Sequence, residues 1–305
     1  MRVAIIGRSE TLYKTASLLR DMENEIVCII TSKEAPEYTK SSKDFEVLAD
    51  KWKIPFAFGP NINSHIGLLE KVNADIGVSI NYTGVIPTNV VEMFRFGILN
   101  AHGGDLPRYR GNACQAWAII NGEKRIGLCI HKMRGGELDS GDIIARDYIA
   151  INNETKIGHV YDWIFDRTPT LMVQSVEALR RDPNYVLEVQ SLENMNSLRC
   201  YPRLPEDGKI DWKQNSQQII RLINASGKPY SGAFFIFNDK KYSVFDVKEL
   251  DSPPFLAVPG QITNINENSI EVATLDGKVL LSNIFIDDTI VKIKEVFKSV
   301  RLRLK

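Results

Sequence analysis

Cysteine is scarce in this sequence. The chain has 305 residues and four cysteines, Cys28, Cys114, Cys129 and Cys200, and no two of them form a C-x-x-C pair. A disulfide scaffold needs many cysteines, and a structural zinc site needs closely spaced ligand pairs. We therefore expect neither a disulfide scaffold nor a structural zinc site, and reduced thiols that are mostly buried, as is usual in a cytoplasmic protein.

Long apolar runs are also missing. No stretch approaches the roughly 18 uninterrupted apolar residues that a membrane-spanning helix needs. The apolar run at 3–6 is too short for the core of a signal peptide, and charged residues follow it at once. We therefore expect a cytoplasmic protein that does not insert into a membrane.

Neither sign of charge is in excess. Lys plus Arg total 38 and Asp plus Glu total 38, so the formal net charge is zero. Proteins that depend on nucleic-acid phosphates for binding normally carry a basic excess. The balance argues against a nucleic-acid partner, while a hydrophobic content of 44% is typical of a globular protein with a sizeable core.

The first half of the sequence has the pattern of an α/β protein. Short apolar runs predict strands at 2–6, 25–31, 54–58, 75–80, 98–101, 126–133 and 143–149. Unbroken apolar strands joined by amphipathic helices predict a Rossmann-like, doubly wound, mostly parallel sheet that is covered on both faces. The first turn, from Gly7 to Glu10, does not match G-x-G-x-x-G, so a dinucleotide site there lacks support.

The pattern changes in the second half. Helical spacing over 155–181 is interrupted by Pro169, which marks either a second helix or a kink. A helix at 215–225 then precedes short alternating runs, two of which flank the hairpin signal Asp276-Gly277. These runs predict a small β-rich domain like the oligonucleotide/oligosaccharide-binding (OB) barrel.

The change of pattern also predicts a domain division. The stretch 182–208 is polar and contains three prolines, which is typical of a linker. We assign a catalytic domain to 1–190, a linker to 191–206 and an OB-like domain to 207–305.

Chemistry-bearing residues are densest around one predicted strand end. Asn100 and His102 are two residues apart, so their side chains point to the same side of the strand. Asp139 lies in a loop after another strand, which should emerge at the same sheet edge, where open α/β folds bind ligands. An amide, an imidazole and a carboxylate suit attack on a carbonyl, although spacing alone leaves a structural role open.

These residues carry a family resemblance. The pattern N-x-H-x-x-x-L-P-x-Y-R-G at 100–111, followed by L-D-x-G-D at 138–142, resembles the folate-dependent formyltransferases. Similarity extends to the loop at 82–87 and to the segment at 203–212. The resemblance implies transfer of a formyl group from N10-formyltetrahydrofolate to a primary amine, without a metal and without a covalent enzyme intermediate.

The resemblance also implies residue roles. Asn100 would hold the formyl oxygen, His102 would stabilise the oxyanion and assist proton transfer, and Asp139 would orient His102. The residues expected to bind the pterin are Tyr82, Thr83, Gly84, Val85, Ile86, Met133, Gly136 and Leu138. The residues expected to contact the acceptor are Tyr109, Arg110 and Gly111.

Two departures from the family pattern stand out. Gly104 occupies a position where the family usually has serine, and the loop at 133–139 is one residue longer. His131 lies within a strand-like run and carries no motif, so we expect an ordinary structural histidine.

The acceptor amine is less directly indicated. Members of the family that formylate tRNA carry a loop rich in Gly, Arg and Lys after the second strand. Here the stretch 31–46 has mixed charge and neither Gly nor Arg. We therefore favour a nucleotide-linked amino-deoxysugar destined for a surface polysaccharide such as the O-antigen of lipopolysaccharide.

Other readings stay open at this point. Charged methionyl-tRNA or another small amine is an alternative acceptor. A binding protein without catalysis, or a hydrolase that releases formate from the same folate, is an alternative activity. The sequence also leaves a homodimer open.

Overall fold

Residues 1–191, 193 and 196–305 are described by the computed structural model of the chain. They pack as two units. The first comprises Met1–Gly111, Gly127–Ile149 and Asp162–Cys200, and the second comprises Asn112–Ile126, Ala150–Tyr161 and Tyr201–Lys305. The predicted linker includes Leu192, Asn194 and Met195, which lie outside the described residues. The domain boundaries at 190 and 206 stay predictions.

A seven-stranded sheet forms the first unit, with the order β3-β2-β1-β4-β5-β7-β8. In chain order the strands are β1 (Arg2–Gly7), β2 (Glu25–Thr31), β3 (Phe56–Phe58), β4 (Ile76–Ile80), β5 (Ile98–His102), β6 (Tyr109–Gly111), β7 (Arg125–Lys132), β8 (Ile143–Ala150) and β9 (Leu198–Cys200). Strands β1 to β5 pair in parallel, whereas β7 runs antiparallel to β5, and β6 pairs separately with β9. The predicted Rossmann-like, mostly parallel sheet is confirmed.

Helices accompany these strands. They are α1 (Glu10–Asp21), α2 (Ser42–Trp52), α3 (Ile66–Val72), α4 (Thr88–Val91) and most of α6 (Ile157–Arg181), while α5 (Cys114–Ile120) falls in the second unit. Pro169 lies inside α6, so this stretch is one continuous helix. Among the helices of the described part of the chain, none is long and apolar enough to cross a membrane.

Strand β1 illustrates how the sheet is buried on both faces. Val3 and Ile5 belong to one apolar cluster, to which α1 contributes, whereas Ala4 and Ile6 belong to another, to which α4 contributes. Successive side chains of a strand point to opposite faces, so an unbroken apolar strand requires cover on both. The apolar runs in the sequence therefore place β1 in the interior of the sheet.

An antiparallel sheet dominates the second unit. Its strands are β10 (Ala233–Phe237), β11 (Lys240–Leu250), β12 (Ile262–Ile265), β13 (Ser269–Ala273), β14 (Lys278–Ile286) and β15 (Thr289–Ile290), with helices α7 (Ser216–Ala225) and α8 (Ile293–Val296). The order is β10-β11-β14-β13-β12, and β15 pairs with β14. Asp276 and Gly277 connect β13 to β14, as the hairpin signal predicts. The predicted β-rich C-terminal domain is confirmed.

Aromatic packing forms the centre of this second core. Phe235 is fully buried. Its ring stacks on Tyr242 at 5.5 Å between centroids, and the rings of Trp212 and Phe297 lie at 6.1 Å and 6.3 Å. Aromatic pairs at such distances stabilise a fold by more than their buried area alone predicts. Removal of the Phe235 ring should therefore destabilise this domain strongly.

We expect Phe235→Ala to lower the free energy of unfolding by about 3–5 kcal/mol, because it leaves a cavity among three other rings. Urea unfolding followed by circular dichroism measures this difference. Leu256→Ala is the control, since Leu256 is fully exposed at 103% and should change stability by no more than about 0.5 kcal/mol. Equal losses in both variants would contradict the assignment of Phe235 to the core.

Candidate functional site

The polar site is built on the end of β5 and on its antiparallel neighbour. Asn100 lies opposite His131 of β7, and His102 lies opposite Cys129. Side chains directly opposite each other in a sheet are close neighbours. The register therefore brings His131 to Asn100, although the two are 31 positions apart in the chain.

His102 is held between two oxygen atoms. Its Nε2 lies 2.6 Å from the carbonyl oxygen of Tyr109, and its Nδ1 lies 3.5 Å from Oδ2 of Asp139. The side chain is only 9% exposed. Because both ring nitrogens face oxygens, a protonated imidazole can donate on both sides.

Asp139 carries a buried carboxylate with several partners. Its Oδ2 accepts a 2.9 Å hydrogen bond from the backbone N–H of Gly111, and its Oδ1 lies 3.6 Å from Nε2 of His131. Burial alone would raise the pKa of this carboxyl, but the imidazoles of His102 and His131 and the Gly111 N–H together hold that pKa well below its usual range. Asp139 is therefore ionised throughout the neutral and mildly acidic range.

His131 belongs to the same cluster, which sequence reasoning did not anticipate. It is 1% exposed. Its Nε2 lies 3.1 Å from Nδ2 of Asn100, and its Nδ1 lies 3.1 Å from the carbonyl oxygen of Lys132. Since the same Nε2 also lies 3.6 Å from Oδ1 of Asp139, His131 lies between the Asn100 amide and the carboxylate. What brings His131 to the site is the pairing of β5 with β7. The sequence pattern of one strand does not show which strand it pairs with.

Asp139 reaches the cluster by a different route from the expected one. We expected its loop at the same sheet edge as His102 because both follow strands. However, β7 is antiparallel to β5, so its end lies toward the start of β5, where Met133 N–H donates to Ile98 O at 2.7 Å. Asp139 still comes close because β5 has only five residues, so a loop beginning at one end of this strand can contact side chains at the other.

The loop after His102 leaves no space at Gly104. A Cβ built on Gly104 would lie 2.5 Å from Nε2 of His102 and 2.3 Å from the carbonyl oxygen of Tyr109. Contacts this short require the imidazole or the backbone to move. The serine that is usual in the family at this position would not fit here while the loop lies this close to His102.

The three residues expected to contact the acceptor lie beside this cluster. Tyr109 is only 3% exposed. Arg110 donates from Nη2 to Oε1 of Gln190 and to the carbonyl oxygen of Ser191, each at 2.8 Å. Burial lowers the pKa of Arg110. Gly111 supplies the N–H that binds Asp139, so its contact supports the cluster directly, and the acceptor role of all three stays a prediction.

The two loops expected to bind the pterin are joined to each other. The N–H of Gly136 donates to the carbonyl oxygen of Ile86 at 3.0 Å, and the Thr88 hydroxyl donates to the Gly135 carbonyl at 3.2 Å. Val85 is 71% exposed and Leu138 is 42% exposed. Exposed apolar side chains beside backbone polar groups suit a flat heteroaromatic ring with polar edges.

The remaining members of this set anchor the loops. The Tyr82 hydroxyl donates to the carbonyl oxygen of Gly59 at 2.9 Å, and burial raises the pKa of Tyr82 to about 12. The Thr83 hydroxyl donates to that of Ser32 at 3.1 Å. A Cβ on Gly84 would lie 2.3 Å from the carbonyl oxygen of Pro60, so this turn packs tightly on the neighbouring loop.

Within residues 1–191, 193 and 196–305, no group of three or more His, Cys, Asp and Glu side chains is arranged to hold a metal ion.

Two domain families match the chain. Residues 1–176 match the family described as formyl transferase, and residues 204–301 match the formyl transferase C-terminal domain. The methionyl-tRNA formyltransferase of Clostridium acetobutylicum is 28% identical over 292 residues, which cover 93% of this chain and 91% of that protein. The bifunctional polymyxin resistance protein ArnA of Wigglesworthia glossinidia brevipalpis is 31% identical over 271 residues, which cover 87% of this chain but only 40% of that protein.

Solved structures share the fold at low identity. WlaRD, described as a sugar 3N-formyl transferase in the presence of dTDP and 5-N-formyl-THF, superimposes with a TM-score of 0.70 at 18% identity, covering 92% of this chain and 97% of that one. The N-formyltransferase of Helicobacter canadensis, in complex with folinic acid and dTDP-3-aminofucose, gives a TM-score of 0.69 at 17% identity, covering 93% of this chain and 100% of that one.

We expect Gly104→Ala to lower turnover at least about tenfold, because the added Cβ displaces His102 or the Tyr109 carbonyl from their present geometry. Steady-state kinetics measure the effect. Gly67→Ala is the matched control, since a Cβ at Gly67 meets no atom within 4 Å. Equal turnover in the two variants would show that the closure of the loop onto His102 is not needed for the reaction.

Proposed function

We propose that this chain, which belongs to the formyl transferase family and is a folate-dependent formyl-transfer enzyme, formylates the primary amine of a nucleotide-linked amino sugar. N10-formyltetrahydrofolate supplies the formyl group. The observation that carries the catalytic part of the proposal is the contact of a half-buried amide, two buried imidazoles and a buried carboxylate at the end of β5.

The proposed chemistry assigns one task to each residue. One N–H of the Asn100 amide faces His131, and the other is then available to the formyl oxygen. A protonated His102 stabilises negative charge on that oxygen while the amine attacks, and it gives its proton to N10 of the folate as the bond between N10 and the formyl carbon breaks. The proton released by the amine nitrogen then restores the imidazolium. Asp139 stays ionised and stabilises the charge on His102. The exposed apolar side chains of Val85 and Leu138, with the backbone of their loops, hold the pterin.

The charge pattern after β2 supports a small acceptor. Lys40 pairs with Asp44 at 3.2 Å, and Lys43 pairs with Glu46 at 2.7 Å. A clamp on the phosphates of an RNA stem needs basic side chains that are not neutralised by neighbouring carboxylates. Together with the zero net charge of the chain, these ion pairs favour a small acceptor over tRNA.

A cation and an aromatic ring lie where a nucleotide could bind. Arg8 follows β1, which lies beside β4 at the point where the strand order reverses. Its Nε donates to the Asn81 carbonyl at 3.0 Å, its Nη1 donates to the Lys33 carbonyl at 2.6 Å, and its guanidinium lies 5.4 Å from the Tyr38 ring centroid. Open α/β folds bind ligands at this reversal point, and a guanidinium there suits a diphosphate.

Methionyl-tRNA is the second candidate acceptor. The relative from Clostridium acetobutylicum, named a methionyl-tRNA formyltransferase, matches over nearly the full length of both chains. That observation favours tRNA. The ion pairs after β2 favour a sugar, as do the two structural neighbours, a sugar 3N-formyl transferase and an N-formyltransferase bound to dTDP-3-aminofucose.

The acceptor is tested with a panel. We expect formyl transfer from N10-formyltetrahydrofolate to one of the dTDP-, UDP- or GDP-linked 3-amino or 4-amino sugars, and none to charged initiator tRNA. Folate absorbance follows the sugar reactions, and a radiolabelled formyl group follows the tRNA reaction. Turnover on the tRNA alone, with a rate that falls steeply as salt rises, would contradict the sugar proposal.

The catalytic roles are tested by Asp139→Asn and His102→Ala. We expect each to lower kcat by at least about 100-fold, because a positioned proton-transfer group and its carboxylate partner contribute that much. Asp166→Asn is the control, since Asp166 is 72% exposed and pairs only at the surface. Thermal unfolding shows whether the variants are folded. Near-normal kcat in both would remove these residues from the mechanism.

The low pKa of Asp139 also predicts a pH dependence. A carboxyl whose pKa is lower in the folded than in the unfolded chain stabilises the fold above its unfolded value of about 4, and this stabilisation is lost as the pH falls further. Between pH 5 and 8 Asp139 stays charged. A loss of activity on the acid side of that range therefore does not come from Asp139, and the proposed mechanism assigns it to protonation of the acceptor amine, which an activity–pH profile measures.

A further inference from the structure

Gln190 is a buried amide next to the catalytic cluster, and no role has been assigned to it so far. It is only 3% exposed. It lies at the end of the segment that leads into the predicted linker, 51 positions after Asp139. A long polar side chain at this depth needs partners for its donors and its acceptor.

The amide finds those partners on both sides of Asp139. Its Nε2 donates to the carbonyl oxygens of Asp139 and Gly141, at 3.0 Å and 2.5 Å. Its Oε1 accepts from Nη2 of Arg110 at 2.8 Å. The backbone N–H of Gln190 also donates to Oδ1 of Asp142 at 3.3 Å. One side chain thus bonds to the loop that carries Asp139 and to the residue before Gly111.

The loop that it contacts has an unusual backbone. Asp139 has φ of 50°, in the left-handed region that most residues avoid. A Cβ on Gly141 would lie 1.6 Å from the carbonyl oxygen of Lys132, so the chain passes very close to β7 at that point. Gln190 binds the carbonyl oxygens of these same two residues, Asp139 and Gly141. The amide therefore holds the loop at the two positions where its backbone is most constrained.

The same contacts connect Gln190 to Asp139 by two routes, one through the backbone and one through the carboxylate. Gln190 binds Arg110, the next residue Gly111 donates its N–H to the Asp139 carboxylate, and Gln190 binds the backbone of Asp139 itself. The backbone and the side chain of Asp139 are thereby fixed from one point. Loss of the Gln190 amide releases both the Arg110 side chain and the backbone of Asp139.

We propose that Gln190 is a positioning residue for the formyl-transfer reaction, which acts by holding the Asp139 carboxylate at its distance from His102. The inference rests on the proposed roles of Asp139 and His102 and is independent of which amine is the acceptor. Gln190 touches neither the folate nor the amine in this role. Its effect therefore falls on kcat and leaves folate binding nearly unchanged.

Gln190→Glu is the sharpest variant, because it keeps the size of the side chain and an oxygen for Arg110 while it removes the N–H donors. The new carboxylate would face the carbonyl oxygens of Asp139 and Gly141. Gln190→Leu removes both kinds of contact. Ser191→Ala is the matched control, since the Ser191 hydroxyl contacts Glu193 and Asn196 while its backbone carbonyl, which Arg110 binds, is retained.

We expect both Gln190 variants to lower kcat by about 10- to 100-fold, as a displacement of about 1 Å in a reacting site does. The KM for N10-formyltetrahydrofolate and the affinity for 5-formyltetrahydrofolate should change less than about threefold, which is a small change in binding free energy. Ser191→Ala should match the wild type. Thermal unfolding and circular dichroism report the folded fraction.

A second readout is independent of turnover. The chain has only four histidines, so imidazole ¹⁵N resonances from histidine-labelled protein are few enough to assign. In Gln190→Glu we expect the signals of His102 and His131 to shift, while those of His65 and His159 stay in place. Gln190→Leu adds no charge, so the same selective shift in that variant excludes a direct effect of the new carboxylate and identifies a change in the position of Asp139.

The outcomes separate the proposals. Wild-type kcat and unshifted His102 signals in Gln190→Glu, with Asp139→Asn inactive, would overturn the role of Gln190 alone. Normal activity in Asp139→Asn would overturn the proposed roles of the catalytic cluster instead. If both Gln190 variants lose their fold, Gln190 is a folding residue and the positioning proposal is wrong.

Discussion

The buried carboxylate of Asp139 is the constraint around which the site is organised. A carboxylate removed from water is costly unless charge and hydrogen bonds compensate it. Here the compensation comes from the Gly111 N–H and from two imidazoles. Each partner is supplied by a different segment, so the charge can be tolerated only when β5, β7 and the loop after His102 are all in place. Folding of these segments and assembly of the reacting groups are therefore the same event.

The fold was largely readable from the sequence because its signals are local. Unbroken apolar runs such as β1 and β2 report burial on both faces, and the Asp276-Gly277 turn reports a hairpin. Local patterns carry no information on pairing between distant strands. The antiparallel position of β7 was therefore not anticipated, and the route by which Asp139 reaches His102 was misjudged for the same reason.

The site was only partly readable. Asn100 and His102 are two positions apart on one strand, so a pattern can reveal them together. His131 and Gln190 have no such spacing. His131 enters through cross-strand register, and Gln190 enters from a segment that sequence composition assigns to the edge of a linker. Residues that act through three-dimensional packing alone leave no motif.

The reaction and the acceptor have different kinds of support. The groups proposed to react are polar and close together, so the chemistry proposed for them rests on distances and charges. The proposal for the acceptor rests instead on surfaces further out, such as the ion pairs after β2 and the guanidinium of Arg8. The same fold can serve several acceptors because such surfaces vary without disturbing the buried cluster.

The pairing of β6 with β9 has a practical bearing on how this protein can be divided. Tyr109–Gly111 bonds to Leu198–Cys200, and Gln190 lies shortly before that strand. The match to the formyl transferase domain ends at residue 176. A truncation or a chimaera designed at that border would remove both the strand and the amide that contact Arg110 and Gly111. A chimaera of such enzymes should therefore be joined after residue 200, so that the N-terminal segment keeps both β9 and Gln190, which hold the residues around the Asp139 carboxylate.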